Sequence, residues 1–300
     1  MVMIILKSLV LPVLAGGGTI ALCWLLPPLR KWKWLSASAF GLAIAFSAFG
    51  AWLAEKGVPD FPPTEMAQWL GIMAILAAIA AILVPCTGAK KFPSPEIAAC
   101  LMGGIVAAGP MIAQMMGANR DHYFADMTVP DHLAMGMAMA LGFLIFDRIA
   151  ERQPGFILPL VFTIVFGALA PLADAAGWIT LTFYCAAISG ACFIATLASK
   201  FGGSPSIGRG GVAAVVLLLV VCPVAAYRQG YPDFPWWSLL LVAGSPLALL
   251  ALEVCWLEKL PPWLLTTMRI VSVLALVGIG LYTGLANGGE AELDPMQMYQ

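Results

Sequence analysis

The sequence predicts an all-α fold, a polytopic transmembrane helical bundle of about ten spans. Three observations predict it. Of 300 residues, 61% are hydrophobic and only 10% are charged, whereas soluble domains carry about 25% charged residues. With 15 Lys/Arg and 16 Asp/Glu, the chain lacks the polar skin that a fold of this size needs in water. The apolar residues also gather into ten runs of span length, a crossing needing about 20 residues. Finally, basic residues and tryptophans are sorted along the chain as the two faces of a membrane sort them. The net charge of −1 points to no nucleic-acid partner. The partner implied by composition is the lipid bilayer.

The runs follow one another with breakers between them. The first, 6–27, carries Lys7 and continues too far to be a cleaved signal. After PPLRKWKW comes 36–54, and after EKGVPDFPP comes 66–86. TGAKKFPSP precedes 96–117, and NRDHYFADMTVP precedes 131–150. The runs 155–173 and 178–199 are separated by ADAAG, and the former starts after ERQPG. SKFGGSPSIGR introduces 210–227, RQGYPDFP introduces 236–257, and EKLPP introduces 263–285. Helix is the expected state, because hydrocarbon cannot satisfy open backbone groups. No run shows the strict alternation of a barrel strand.

Orientation follows from the cations. The odd-numbered connectors hold Arg30, Lys31, Lys33, Lys90, Lys91, Arg148, Arg152, Lys200, Arg209 and Lys259; the even side holds only Lys7, Lys56, Arg120 and Arg228. The expected location is a bacterial-type inner membrane, odd connectors in the cytoplasm and both termini outside. Trp52, Trp69, Trp178, Trp236 and Trp237 fall near the outer ends of spans, and Trp24, Trp32, Trp34, Trp256 and Trp263 near the inner ends. That is the two-belt pattern of indoles at headgroup level.

A short phrase occurs twice. GVPDFP at 57–62 and GYPDFP at 230–235 agree at five of six positions, 173 residues apart. The offset of six spans leaves both copies pointing the same way. The predicted organisation is a first four-helix repeat over 1–117, an outer loop and hairpin over 118–173, a second four-helix repeat over 178–285, and a tail over 286–300. Asp60 and Asp233 suit helix caps, and Phe61 and Phe234 suit the interface. A rival scheme is two inverted five-helix halves. It pairs AAGP, ending at Pro110, with AGSP, ending at Pro246; Gly/Pro breaks at matching positions point to transporter sites.

Candidate binding residues gather in the loop NRDHYFADMTVPDH: Arg120, Asp121, His122, Asp126, Asp131 and His132. The ordinary reading of that loop is solvated, with His132 at the start of a span. Met111 and Met115, and likewise Met135 and Met139, are four residues apart and share a helix face. With His122 and His132 they form a weak candidate for a soft metal such as Cu(I); their alternative is packing. Glu253 and Arg269 lie equally far from Pro261 and are expected to pair. The seven cysteines form no CxxC and read as packing residues. Ala134, Ala138 and Gly142, and Gly280 and Gly284, read as close helix contacts. GRGG at 208–211 lacks the strand and Lys–Ser/Thr pair of a phosphate loop, and no GxSxG or HExxH occurs. No cofactor is expected, and catalysis less than transport. The expectation is a permease for a small solute or ion. The alternatives are a non-catalytic membrane subunit beside other subunits, or an intramembrane enzyme on a lipid-linked substrate.

Overall fold

The computed structural model describes residues 9–26, 33–57, 66–86, 95–115, 128–152, 155–201, 207–229, 234–251 and 261–288. All elements among them are helical. Helix α1 (Leu11–Ile20) runs into a π turn over Ala21–Leu25. There follow α2 (Lys33–Lys56), α3 (Met66–Cys86), α4 (Pro95–Met115), α5 (Val129–Arg152) and α6 (Ile157–Ala175). The last four are α7 (Ile179–Phe201), α8 (Arg209–Gln229), α9 and α10 (Pro262–Gly288). Helix α9 tightens midway: Trp236–Gly244 passes through a 3-10 turn, Ser245–Leu247, into Ala248–Ala251. Six helices are long and apolar enough to cross a membrane: α2, α5, α6, α7, α8 and α10. The described apolar stretches of α1, α3, α4 and α9 are shorter.

Local chemistry sets several helix ends. Helix α5 opens with a capping box: the Asp131 carboxylate accepts the Thr128 backbone N–H at 2.7 Å and the Thr128 hydroxyl at 2.8 Å. Helix α6 ends in a Schellman turn. Gly177, at φ +82°, donates to the Asp174 carbonyl, and Trp178 donates to Ala173. That turn folds α7 straight back onto α6.

The centre of the bundle is α8, whose membrane window is 83% buried. It packs on α2, α3, α5 and α9. Helix α2 also meets α1, α3 and α7, and α10 lies outside on α6 and α9. These crossings are close because glycines face them. A Cβ at Gly41 would meet the Ala81 Cβ at 2.6 Å and the Gly210 carbonyl oxygen at 2.8 Å, so α2 lies against the α8 backbone and against a methyl of α3. Gly208 sits against the Ala37 carbonyl and Gly211 against the Phe40 ring. The GRGG stretch is therefore a packing device at the start of α8. Gly103 of α4 and Gly136 of α5 face each other's backbone. Gly280 and Gly284 of α10 seat against Ser238, Val242 and Leu172, inside the chain.

Two expectations are corrected by burial. Trp236, Trp237 and Trp263 are exposed on the bundle flank, as an interfacial belt requires, but Trp52, Trp69 and Trp178 are buried. Trp52 lies over Gly71, where no side chain intervenes. His132 is not solvated: it is buried in the first turn of α5. The cysteines behave as packing residues where described, Cys23, Cys185, Cys192 and Cys222 being free and buried. A maleimide added to the detergent-purified protein is expected to label Cys100 readily and Cys185 and Cys192 only after denaturation. Intact-protein mass spectrometry reads the difference.

Candidate functional site

Helices α4 and α5 form a hairpin that joins the bundle chiefly along one seam, α5 against α8. Midway, Gly142 faces Val216, where an added Cβ would come within 2.8 Å. At the end of the seam that carries the start of α8, three charges meet. Arg209 Nε donates to both Asp147 carboxylate oxygens at 3.1 Å, and its Nη2 donates to Glu151 Oε1 at 3.2 Å. Asp147 is buried, its side chain only 7% exposed, against 38% for Arg209 and 64% for Glu151. Each charge alone opposes a helix dipole: a cation at the first turn of α8, and carboxylates in the last turns of α5. Together they compensate.

Each side of the hairpin faces an apolar groove. One, of about 520 Å³, lies between α5 and α9 with α8 as its floor. Its wall includes Ala134, Met135, Ala138 and Leu141 on α5, and Leu240, Ala243, Gly244 and Leu247 at the 3-10 turn in α9. The rim residues Leu141, Leu240 and Leu247 are exposed on the flank. The other groove, of about 230 Å³, lies between α3 and α4 and is lined by residues such as Leu76, Ile79, Leu101 and Ile105. Neither lining contains a charged residue. Ala134 and Ala138 are exposed and line the groove with Gly142, which also packs closely on Val216.

At the opposite end, the Thr180 hydroxyl of α7 donates to Glu55 Oε1 of α2 at 2.7 Å. One turn deeper, the Tyr184 hydroxyl donates to the Leu70 carbonyl of α3 at 3.1 Å. Glu55 Oε2 and Trp52 Nε1 are buried with no hydrogen-bond partner among the described residues.

The sequence candidates are scattered over these features. Asp131 caps α5, and His132, Met135 and Met139 are buried on that helix. Pro246 is buried in the 3-10 turn of α9, and Ser245 beside it donates to the Val242 carbonyl. Pro110 lies within α4. Phe234 is buried at the start of α9, and Arg269 is half-buried in α10. Arg120, Asp121, His122, Asp126, Asp60, Phe61, Asp233 and Glu253 lie outside the described residues, as do the side chains of Pro110, Met111 and Met115. Among the described residues, no group of three His, Cys, Asp or Glu side chains is placed to hold a metal.

Sequence reasoning passed over Asp147, Glu151 and Glu55. Two signals were available. FDRIAER places Asp147 and Glu151 four apart, hence on one helix face. TVPD spells the capping box that occupies Asp131.

The fold and site define a multi-pass helical membrane bundle with apolar grooves on its flank. Comparison with known proteins takes the assignment no further: no family model, no curated protein and no solved structure matches the chain.

Proposed function

We propose that this chain crosses the membrane ten times, with the Arg209 end in the cytoplasm, and transports a substrate with an apolar body, a lipid or lipid-like amphiphile. The carrying observation is the groove between α5, α8 and α9. It is apolar throughout, reaches the flank, and runs beside the 3-10 turn at Ser245–Leu247 within α9. Binding sites take the polarity of what they bind, and a dry wall suits a hydrocarbon chain better than a small ion. A 3-10 stretch inside a helix often marks a functional hinge.

The packing also favours the inverted five-plus-five scheme over the parallel one as the basis of this reading. Under the inverted scheme α1–α2 corresponds to α6–α7, and α4–α5 to α9–α10, and all four are packed hairpins. It also makes α2–α7 and α3–α8 pairs that map onto themselves, and both pack closely. The parallel scheme equates α9–α10 with α3–α4, whose described residues do not pack closely.

The test uses proteoliposomes carrying a short-chain phosphatidylethanolamine labelled with NBD. Dithionite added outside bleaches only the outer leaflet in protein-free vesicles. With the protein present, bleaching is expected to pass that plateau. Ala138→Phe, which fills the groove from its wall, is expected to slow the second phase several-fold. Bleaching that stops at the protein-free plateau would remove the lipid reading.

A second reading, a subunit of a larger membrane complex, has its own observation. The membrane window of α10 is only 17% buried, with Trp263 69% and Tyr282 76% exposed. A photo-crosslinking residue at position 282 would capture a protein in native membranes if a partner covers this helix, and only lipid if none does.

A further inference from the structure

We infer that the α4–α5 hairpin is a rocking element, hinged on the α5–α8 seam and latched by the Arg209–Asp147–Glu151 cluster. The inference deepens the transport reading, on which it rests for its purpose but not for its test. Three features carry it. The hairpin is a stiff unit, because Gly103 and Gly136 bring its two backbones into direct contact. Among the described residues its attachment to the bundle is chiefly one helix pair, α5 on α8, where Gly142 faces Val216, with Phe146 edge-on to Phe162 of α6 beside it. A groove lies on each side: that walled by α4 and α3, and that walled by α5 and α9. Rotation about the seam in either direction therefore narrows one groove as it widens the other. Packed elements of this kind move between discrete arrangements, because their cores do not deform continuously.

The ion cluster sits where such rotation is most effectively stopped, at one end of the seam. Asp147 is buried and held by Arg209 through both oxygens, while the Glu151 arm reaches solvent. The buried arm sets the geometry. The exposed arm is the one that water, salt or a headgroup can compete for.

Spin-label distances across both grooves test this without any substrate. Labels at Leu83 and Leu101 span the α3–α4 groove, and labels at Leu141 and Leu247 span the α5–α9 groove; all four positions line their groove and are exposed. Native reactive cysteines are replaced by alanine. The unaltered cluster is expected to give one dominant distance for each pair. Arg209→Gln is expected to add a second population in both, with opposite shifts: one distance longer, the other shorter. The charge swap Arg209→Asp with Asp147→Arg is expected to return both pairs to a single population. If Arg209→Gln does not fold, Glu151→Gln, which removes only the exposed arm, is expected to give the same opposite shifts at lower amplitude. Distributions like those of the intact cluster, or broadening of both pairs without opposite shifts, would overturn the inference. A lipid assay that fails while the distances shift would discard the substrate and keep the motion.

Discussion

Leucine at position 41 is expected to prevent the bundle from assembling, and alanine there to weaken it severely. The added Cβ would lie 2.6 Å from the Ala81 Cβ and 2.8 Å from the Gly210 carbonyl oxygen. Neither neighbour has a rotamer that moves away; one is a methyl fixed to a helix and the other is backbone. Relief requires α3 or α8 to shift as a whole, and α8 is also in contact with α5, α7 and α9. Overpacking by a flexible side chain typically costs about 1–3 kcal/mol. A clash with a fixed methyl and a backbone carbonyl belongs at or above the top of that range, and a whole leucine adds to it. The control is Gly104→Ala, where an added Cβ meets nothing within 4 Å. That change removes a flexible residue from a helix and is expected to be neutral or to stabilise by up to about 1 kcal/mol. Thermal unfolding in detergent, followed by size-exclusion chromatography with fluorescence detection, compares the two. A Gly41→Leu variant that melts with the parent would show that the three helices do not meet where described.

The second large effect is an asymmetry across one ion pair. Arg209→Met strands Asp147, which is buried, with no other hydrogen-bonded cation among the described residues; breaking a buried pair from that side costs about 3–5 kcal/mol. Asp147→Leu leaves Arg209, which is 38% exposed and still bonded to Glu151. A cation that retains water and a partner loses little, so this variant is expected to cost about 1 kcal/mol or less. The double variant Arg209→Met with Asp147→Leu is expected to lie near the parent, because an apolar pair of similar volume replaces a desolvated ionic one. Denaturation midpoints of the four proteins close the cycle. Equal losses for the two single changes would mean that Asp147 reaches water and that burial is not what makes the cluster matter.

Much of the architecture is legible in the sequence. Every predicted span contains a helix, because apolar run length and Pro/Gly breaks are local properties that lipid enforces locally. The turn chemistry is local too: TVPD for the cap of α5, and AAGW for the Schellman turn. Gly280 and Gly284 were also legible as a close contact. Of the tryptophans read as a belt, Trp52, Trp69 and Trp178 are buried in the protein, since a span end and a protein interior look alike when only hydropathy is read. Trp52 is inside because Gly71, nineteen positions away, leaves room for it. The histidines and acids of the loop before α5 drew attention by composition. The cluster that the fold builds uses Asp147, Glu151 and Arg209, which read as ordinary charges of cytoplasmic turns.

By itself, then, the sequence determined the solvent and the secondary structure: lipid around the chain, helices through it, and charge at the ends of the runs. Only the tertiary structure decided which helices meet. It placed α8 at the centre, hung the α4–α5 hairpin on one seam, opened a groove on either side of it and buried Asp147 against Arg209. The physical reason is range. Hydropathy and capping act over a few residues and can be read along the chain. Helix choice inside a bilayer has no hydrophobic difference to follow, so it rests on steric fit between surfaces. That fit depends on where a missing Cβ in one helix faces a backbone contributed by another.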